Sequence, residues 1–338
     1  MDYRNLGRTG VKVSPLCLGC MNFGGKTDMD ASQAIIDRAL DAGVNFFDTA
    51  NVYSRGESEK VTGAALKNNG RRDFVVLATK VHGRMADDDP NAQGNSRRHI
   101  VQQCEASLKR LQTDWIDLYQ IHRPRPETPI DETLRALDDL VRSGKVRYLG
   151  TSTFAAWQVV EALWVARELG LNRFVCEQPP YHPLDRRIER ELIPMARTFG
   201  IALIPWSPLA GGFLTGKYRR GEKPPEDARF GPDKHFRSNA LLNQDQPFDI
   251  LETMEALAAE ADATVSQVAL AWNMAQPGVT SPIIGPRTLE QLEDNLGALD
   301  VELSEDHRRR IDEVAAPGSV TTPFYQANWG PHESRLVI

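Results

Sequence analysis

The sequence predicts an α/β protein built as a (β/α)8, or TIM, barrel. Short apolar runs alternate with amphipathic segments from Leu16 to about Ala315, a pattern typical of parallel strands joined by helices. The apolar runs number eight, enough to close such a barrel. We expect strands near Leu16–Gly19, Val44–Asp48, Phe74–Lys80, Ile116–His122, Val146–Ser152, Phe174–Gln178, Ala202–Ser207 and Pro282–Gly285.

The residues before the first barrel strand indicate a separate small element. Tyr3–Val13 has Gly7-Arg8-Thr9-Gly10 at its centre and predicts a β-hairpin. In the first helix that follows, Asp30 with Gln33 resembles a capping box, and Gly43 suits the position just after the helix end.

Two later helices carry apolar stripes that would cover the barrel. Ser96 is placed to begin one of them, and Gly144 is placed to end the next. The stripes repeat at helical spacing and consist of Val101, Cys104, Leu108 and Leu111, then Leu134, Leu137 and Val141.

Two insertions follow strands and would overhang the mouth of the barrel. Leu209–Asp249 is rich in Gly, Pro and charged residues, and loops of this length are usually functional; Val81–Asn95 is a shorter insertion. From about Pro317 the chain predicts an irregular tail. Because no repeat or linker divides the chain, we expect residues 1–338 to form one domain.

Composition narrows the function classes. The net charge of −6 and the lack of a long basic tract give no support for nucleic-acid binding. No signal-like or membrane-spanning apolar segment is present, so we expect a cytoplasmic protein without a membrane partner. Four cysteines do not make a disulfide framework, and the Cys17–Cys20 pair lacks the partners of a zinc site, so we expect packed thiols and no metal.

Four titratable residues lie at or just past the ends of three consecutive predicted strands. They are Asp48, Tyr53, Lys80 and His122. Polar side chains at the carboxyl ends of barrel strands face the mouth, where catalytic groups collect. We expect these four to converge there.

Together these groups suit the reduction of a carbonyl by hydride. Negative charge develops on the carbonyl oxygen, so an acid placed beside it lowers the barrier. A nearby ammonium makes a tyrosine a better proton donor. Tyr53 would therefore be the acid, Lys80 would supply the charge, Asp48 would hold Lys80, and His122 would orient the carbonyl or relay a proton. Taken singly, each residue could instead be structural, and Lys80 could be a Schiff-base amine of a barrel isomerase or aldolase.

The chain resembles the aldo-keto reductases over almost its whole length. The motifs that carry the resemblance are FFDTANVY, LATK, LYQIHRP, YLGTSTF, EQPPYHPLDR, IPWSPLAGGFLTGKY and IIGPRTLEQLEDNL. The resemblance implies that Tyr53 is the general acid, that Asp48, Lys80 and His122 complete a catalytic tetrad, and that no metal takes part. The Gly285-Pro286-Arg287 run places the chain nearer to the bacterial reductases and potassium-channel β subunits than to the steroid-reducing branch.

The resemblance also implies NAD(P)(H) lying extended across the barrel mouth, without a GxGxxG fingerprint, and none is present. The positions that match the nicotinamide half are Asp48, Ser152, Thr153, Gln178 and Trp206. Cys20 and Met21 match positions at the edge of the cofactor, although both could equally be simple lining. Trp206 would stack on the nicotinamide ring. Thr153 departs from the family pattern, which has Asn or Arg there in many members, and this puts its role in doubt.

The remaining matches cover the phosphates and the adenosine. Small residues near Gly211 would let backbone N–H groups approach the pyrophosphate. Arg287, at the start of a helix, favours NADPH over NADH because a helix N-terminus with Arg attracts a phosphate. The full set is Ser207, Leu209, Gly211, Lys217, Arg229, Gly285, Arg287, Gln291, Asp294 and Asn295.

Substrate choice is left open by the sequence. The substrate would be a small carbonyl compound, met by apolar residues of the loops: Phe23, Met85, Phe213, Phe230, Phe236, Phe324 and Trp329. An aldehyde, ketone, sugar or quinone would all suit these residues. The tail could cover the mouth or dock on the barrel side, and the chain could be a monomer or a homo-oligomer. A regulatory module that binds the cofactor and senses redox state is the alternative function.

Overall fold

Eight strands form one parallel sheet that curls into a barrel, separate from the two-stranded hairpin at the amino terminus. The computed structural model describes residues 1–226, 229–230 and 241–321. The barrel strands are β3 (Cys17–Gly19), β4 (Phe46–Asp48), β5 (Val76–Val81), β6 (Ile116–Ile121), β7 (Val146–Ser152), β8 (Phe174–Gln178), β9 (Ala202–Leu203) and β10 (Ile283–Ile284). Their order in the sheet is β10-β3-β4-β5-β6-β7-β8-β9, and all pairs are parallel. The predicted (β/α)8 fold is therefore confirmed.

Contacts between β9, β10 and the residues that adjoin them close the barrel. Leu203 forms a parallel bridge with Val279. Just beyond, the Ile283 N–H donates to the Pro205 carbonyl at 2.8 Å. Closure leaves no free sheet edge between these two strands.

Helices surround the barrel. Numbered among the described residues, they are α1 (Met29–Asp41), α2 (Glu57–Asn68), α3 (Arg97–Leu111), α4 (Ile130–Arg142), α5 (Ala156–Glu168), α6 (Leu192–Phe199), α7 (Asp245–Glu260), α8 (Val265–Met274), α9 (Leu289–Gly297) and α10 (Glu305–Val314). Short 3-10 turns lie at Tyr53–Gly56, Arg72–Phe74, Arg187–Glu189, Ala210–Thr215 and Ala298–Asp300. The main apolar core lies between these helices and the strands.

The predicted hairpin is present and lies at the amino-terminal end of the barrel. β1 (Arg4–Asn5) pairs antiparallel with β2 (Lys12–Val13). Leu6 and Val13 belong to the apolar cluster inside the barrel, together with Phe46 of β4. The hairpin therefore closes the end opposite the mouth, where water would otherwise reach the interior.

Three of the expected helix boundaries, at Gly43, Ser96 and Gly144, are confirmed and one is wrong. The Ser96 side chain accepts from the His99 N–H, and Gly144 follows α4 with φ of 78°. For α1, however, the cap is Asp28 and not Asp30, because Asp28 Oδ1 accepts from the Ala31 N–H at 2.9 Å. Asp30 lies in the first turn of the helix.

Several strands are shorter than expected, and one extends further. β9 ends at Leu203, four residues before Ser207, and Phe74 belongs to the 3-10 turn before β5. Lys80 does not end its strand, since β5 continues to Val81. Gly43, with φ of 88°, ends α1 as expected.

The predicted insertions are described in part. In the first insertion, His82 Nδ1 and Asn95 Oδ1 lie 2.8 Å apart. In the second, residues 227–228 and 231–240 lie outside the described residues, and so does Phe236. The tail is described only to Thr321, whose N–H donates to the Leu184 carbonyl at 3.0 Å; Phe324 and Trp329 lie outside. The expectation of one domain stays a prediction.

Candidate active site

The four predicted catalytic residues meet at the mouth of the barrel. Lys80 Nζ donates to Asp48 Oδ2 at 2.5 Å and to Tyr53 Oη at 3.2 Å, and it also donates to the Thr49 carbonyl at 2.8 Å. The Tyr53 and His122 rings lie edge to face with centroids 5.7 Å apart. Three strand ends and one turn thus bring an acid, a cation, a carboxylate and an imidazole together.

Burial makes the charge on Lys80 depend on its partners. The side chains of Lys80 and Asp48 are 0% and 1% exposed. Burial alone would lower the pKa of Lys80, but the Asp48 carboxylate and Tyr53 outweigh it and raise that pKa. The site therefore holds an ammonium in contact with the Tyr53 hydroxyl.

His122 is held in its neutral form. Desolvation, reinforced by the positive charges of Lys80 and Arg123, lowers the pKa of His122 well below its usual value. The imidazole therefore carries no charge at neutral pH. A neutral ring offers a hydrogen-bond donor without adding a second cation beside Lys80.

A tight left-handed turn follows Tyr53 and sets the position of its ring. Ser54, Arg55 and Gly56 have φ of 47°, 53° and 95°. Non-glycine residues seldom adopt positive φ, and such strain is concentrated at functional sites. The turn connects Tyr53 to the start of α2 at Glu57.

The carboxylate of Asp48 has a second pair of partners that the sequence did not reveal. Gln120 Nε2 and Gln178 Nε2 donate to Asp48 Oδ1 at 3.0 and 2.9 Å. Gln178 was expected to bind nicotinamide, whereas Gln120 had no predicted role. The available signal was a polar Gln inside the apolar run DLYQI, because an interior polar side chain needs a partner.

Ser152 and Thr153 lie next to Gln178, as predicted for residues that bind the nicotinamide carboxamide. The Ser152 hydroxyl and the Thr153 N–H donate to the Gln178 carbonyl at 3.0 and 3.1 Å. Thr153 has φ of 62°. Arg123 Nη1 donates to Thr153 Oγ1 at 2.9 Å and to the His122 carbonyl at 2.7 Å.

A buried glutamate supports the same segment from the helix side. Glu177 is fully buried and accepts from the Phe154 N–H at 3.2 Å and from the Thr151 hydroxyl. Desolvation raises the pKa of Glu177 to about 8, although these donors and Arg123 favour its charged form. Glu177 and Arg123 were both missed from the sequence, since nothing in a single sequence tells which neighbours they meet.

The loop after β9 turns sharply through several residues with positive φ. Ser207, Ala210, Gly211 and Gly212 have φ of 55°, 50°, 69° and 97°. The N–H groups of Ala210 and Gly212 donate to the Ser207 and Leu209 carbonyls. Lys217 Nζ lies 3.2 Å from the point that a Cβ on Gly212 would occupy. Glycines in such a turn let a ligand come close to the backbone, which is the role predicted for Gly211.

Arg229 lies at the same turn, and two other predicted contacts flank it. A Cβ on Gly211 would lie 3.7 Å from Arg229 Cδ. Trp206 is half-buried at the carboxyl side of β9, and its backbone N–H donates to the Pro179 carbonyl at 2.9 Å. Leu209 packs against the apolar core, and the Leu214 N–H donates to its carbonyl.

The turn from Gly285 to Arg287 is built against the loop after β3. Asn22 Nδ2 donates to the Gly285 carbonyl at 3.0 Å, and the Thr27 hydroxyl donates to the Arg287 carbonyl at 3.2 Å. Across residues 1–226, 229–230 and 241–321, no carboxylate forms an ion pair with the Arg287 guanidinium. The contact of Arg287 with a phosphate stays a prediction.

The three predicted contacts in α9 have different environments. Gln291 Oε1 accepts from the Arg287 N–H at 2.8 Å, which fixes the start of the helix. Asp294 Oδ1 accepts from the Thr264 hydroxyl at 2.7 Å, on the side of α8. Asn295 is buried. The structure thus brings Gln291 to the Arg287 turn and directs Asp294 toward the neighbouring helix.

Met21 and Cys20 are placed differently at the edge of the site. Met21 packs against two glycines at neighbouring strand ends, Gly285 and Gly19. If these glycines carried a Cβ, it would lie 2.9 Å from Met21 Sδ at Gly285 and 2.9 Å from Met21 Cε at Gly19. Cys20 is fully buried, and its Sγ donates to the Leu18 carbonyl at 3.7 Å. Its cofactor contact stays a prediction.

Metal-binding clusters and membrane spans are absent from the described part of the chain. There, no group of three or more His, Cys, Asp or Glu side chains could hold a metal ion. None of the helices in those ranges combines the length and the apolar character needed to cross a membrane. The metal-free chemistry stays a prediction.

Comparison with known proteins bears on this arrangement. The family model described as the aldo/keto reductase family matches residues 15–316. The chain belongs to the aldo/keto reductase family. Among curated relatives of this aldo/keto reductase, an uncharacterized oxidoreductase of Bacillus subtilis, YrpG, is 42% identical over 96% of this chain and 99% of its own.

Other relatives are named as ion-channel subunits and not as oxidoreductases. Probable voltage-gated potassium channel β subunits of rice and of Arabidopsis thaliana are each 40% identical, over 89% of this chain and 92% of their own. The predicted resemblance, including its branch, is confirmed. Family membership supports an oxidoreductase role, and proteins of this family generally use NAD(P)H.

Proposed function

We propose that the protein is an NADPH-dependent carbonyl reductase that converts aldehydes or ketones to alcohols reversibly, with Tyr53 as general acid. The observation that carries the proposal is the 3.2 Å contact between the Tyr53 hydroxyl and a buried ammonium, Lys80, which Asp48 holds at 2.5 Å. This is an acid beside a fixed positive charge at a barrel mouth.

When bound, the cofactor supplies a hydride to the carbonyl carbon. Tyr53 Oη donates its proton to the carbonyl oxygen as negative charge develops there, and the phenolate that remains is stabilised by the Lys80 ammonium. Asp48 keeps that ammonium charged although it is buried. Reoxidation of an alcohol uses the same groups in reverse.

His122 would orient the carbonyl. Its ring lies edge to face with that of Tyr53, so a carbonyl oxygen within reach of the hydroxyl is also near the imidazole. Because His122 is neutral, it can donate one N–H bond without repelling Lys80. The proton that is consumed comes from Tyr53 rather than from His122.

The residues present fit a dinucleotide. Gln178 and Ser152 provide polar groups for the carboxamide beside Asp48. The positive-φ turn at Gly211 and Gly212, with Lys217 beside it, suits the pyrophosphate. Arg287, at the far end, suits the 2′-phosphate that distinguishes NADPH from NADH.

The test is NADPH oxidation followed by absorbance with aldehydes, ketones and quinones, and with NADH in parallel. The proposal expects turnover of at least one carbonyl, faster with NADPH than with NADH. It fails if NADPH binds, as judged by fluorescence, and no carbonyl in a broad panel is reduced. We further propose that the protein works in the cytoplasm on a small-molecule carbonyl.

A second candidate is a regulatory subunit that binds the cofactor and turns it over slowly. The observation in its favour is the 40% identity to probable potassium channel β subunits. Co-purified cofactor, negligible turnover and association with a channel protein would favour it. Steady turnover across several aldehydes would favour the reductase.

A further inference from the structure

The two oxygens of the Asp48 carboxylate have different kinds of partner. Oδ2 accepts from the Lys80 ammonium, whereas Oδ1 accepts from two amide groups, those of Gln120 and Gln178. The lysine pair belongs to the proton-transfer chemistry. The amide pair has no part in the chemistry described so far, although it fixes the same carboxylate.

Gln120 is built into the barrel interior at the level of the catalytic residues. It is fully buried, and it is directly paired with Lys80 in the register of β5 and β6. On its other side it is paired with Gly150, and a Cβ on Gly150 would lie 3.0 Å from Gln120 Cγ. A glycine at that position leaves the space that the glutamine side chain fills.

Gln120 also contacts the predicted nicotinamide residue. Its Oε1 accepts from Gln178 Nε2 at 3.2 Å, and Gln178 Nε2 donates in turn to Asp48 at 2.9 Å. The two N–H groups of the Gln178 amide are therefore used by Gln120 and Asp48. The group that Gln178 has left for a carboxamide is its Oε1 acceptor.

We propose that Gln120 is a positioning residue that fixes Asp48 and Gln178 at once, and so aligns the proton-donating groups with the nicotinamide end of the cofactor. This inference rests on the proposed function, because it gives the Gln178 amide a cofactor partner. Gln120 touches neither the carbonyl nor the cofactor in this account, and it acts through the two residues that do.

Replacement of Gln120 by leucine separates this role from simple space filling. Gln120→Leu keeps most of the volume but removes one donor to Asp48 and the acceptor for Gln178. Without that donor and acceptor, Asp48 and Gln178 are no longer fixed relative to each other, so kcat for carbonyl reduction should fall by about three- to tenfold. The Kd values of NADPH and NADH should rise together, by about three- to tenfold, since the carboxamide is common to both.

The matched control is Gln33→Leu. Gln33 Nε2 also donates to a carboxylate, that of Asp37, at 3.0 Å, and to the Ala65 carbonyl at 3.3 Å, but it lies in the helical shell. A third variant, Gln120→Glu, keeps the shape and places a second carboxyl beside Asp48. An ionised carboxyl has no N–H to donate to Asp48, so Gln120→Glu should not restore the wild-type rate.

The experiment measures three quantities for wild type and the three variants. The first is the affinity for NADPH and for NADH, by fluorescence titration. The second is kcat and KM with an electron-poor aromatic aldehyde. The third is the free energy of unfolding, by urea titration followed by circular dichroism. The inference is supported if Gln120→Leu changes cofactor binding and kcat while Gln33→Leu changes neither, and it is overturned if the two leucine variants behave alike.

Failure of the proposed function would look different from failure of this inference. If wild type neither binds NADPH nor reduces any carbonyl, the proposed function is wrong. The claim that Gln120 fixes Asp48 is then decided by urea unfolding alone. Gln120→Leu must lose more stability than Gln33→Leu, because it leaves a buried carboxylate and a buried amide with one hydrogen bond fewer, and equal losses refute it.

Discussion

Removal of the Asp48 charge provides a test that needs neither cofactor nor substrate. Asp48→Asn leaves the Lys80 ammonium buried, at 0% exposure, with the Thr49 carbonyl and Tyr53 as its remaining partners. Burial then dominates and lowers the pKa of Lys80, the reverse of its direction in the wild type. The variant should therefore be less stable, and its stability should depend on pH in a new way.

The size of the effect follows from the buried pair. Breaking a buried ion pair by removing one partner costs about 3–5 kcal/mol. Neutralising the lysine instead costs about 1.4 kcal/mol for each pH unit below its ordinary pKa of about 10.4, which sets a ceiling of about 4–5 kcal/mol at pH 7. Both routes give a loss of about 3–5 kcal/mol at neutral pH.

The sign of the pH dependence distinguishes the variant from wild type. In wild type the pKa of Lys80 is raised, so its contribution is fully present below a pH of about 10.4 and is lost only at higher pH. In Asp48→Asn the unfolded chain binds the extra proton, so the free energy of unfolding rises with pH toward about 10.4, by at most about 1.4 kcal/mol per pH unit.

Urea unfolding between neutral pH and about pH 10.5 measures this directly. The matched control is Asp138→Asn, which removes another buried carboxylate whose cation, Arg142, is 66% exposed and does not titrate in this range. Asp138→Asn should be less stable than wild type, but its free energy of unfolding should not rise toward high pH. An Asp48→Asn curve parallel to that of wild type would refute the account of Lys80 as a buried ammonium held by Asp48.

Two further predictions concern cofactor choice and a buried acid. Arg287→Ala should weaken NADPH binding by about tenfold or more and NADH binding little, since a charge-assisted phosphate contact is lost; equal weakening in fluorescence titrations would show that Arg287 does not contact the 2′-phosphate. Glu177→Gln should flatten the pH dependence of stability, because the raised pKa of about 8 means that wild type loses stability as pH rises from 4.5 to 8. In thermal unfolding, the Tm of Glu177→Gln minus the Tm of wild type should therefore increase across that pH range. A difference that stays constant would contradict this assignment.

The order of the strands along the chain and the convergence of Asp48, Tyr53, Lys80 and His122 could be predicted because both depend on local patterns. Their catalytic roles stay a prediction. Apolar runs that end near Asp48, Lys80 and His122 indicate buried parallel strands, and parallel strands bring their carboxyl ends to one side. The tetrad needed only that rule and the chemistry of the side chains. The contacts between Lys80, Asp48 and Tyr53 agree with that expectation.

What the sequence could not provide depends on contacts between distant strands. Gln120 and Gln178 are 58 residues apart, and their hydrogen bond becomes visible only when β6 and β8 are placed across the barrel interior. Thr153 has a positive φ that its residue type does not predict. The cap at Asp28 was missed because Asp28 and Asp30 both suit a helix start, and only the backbone decides between them.

The central claim is that the Tyr53 hydroxyl gives the proton to the carbonyl oxygen. Tyr53→Phe keeps the ring beside His122 and Lys80, and Tyr119→Phe is the matched control, since the Tyr119 hydroxyl donates to the Ile100 carbonyl outside the site. The account predicts that Tyr53→Phe slows turnover by about 10²–10⁴-fold while the Kd of NADPH stays near that of wild type. A wild-type rate of carbonyl reduction in Tyr53→Phe would contradict it.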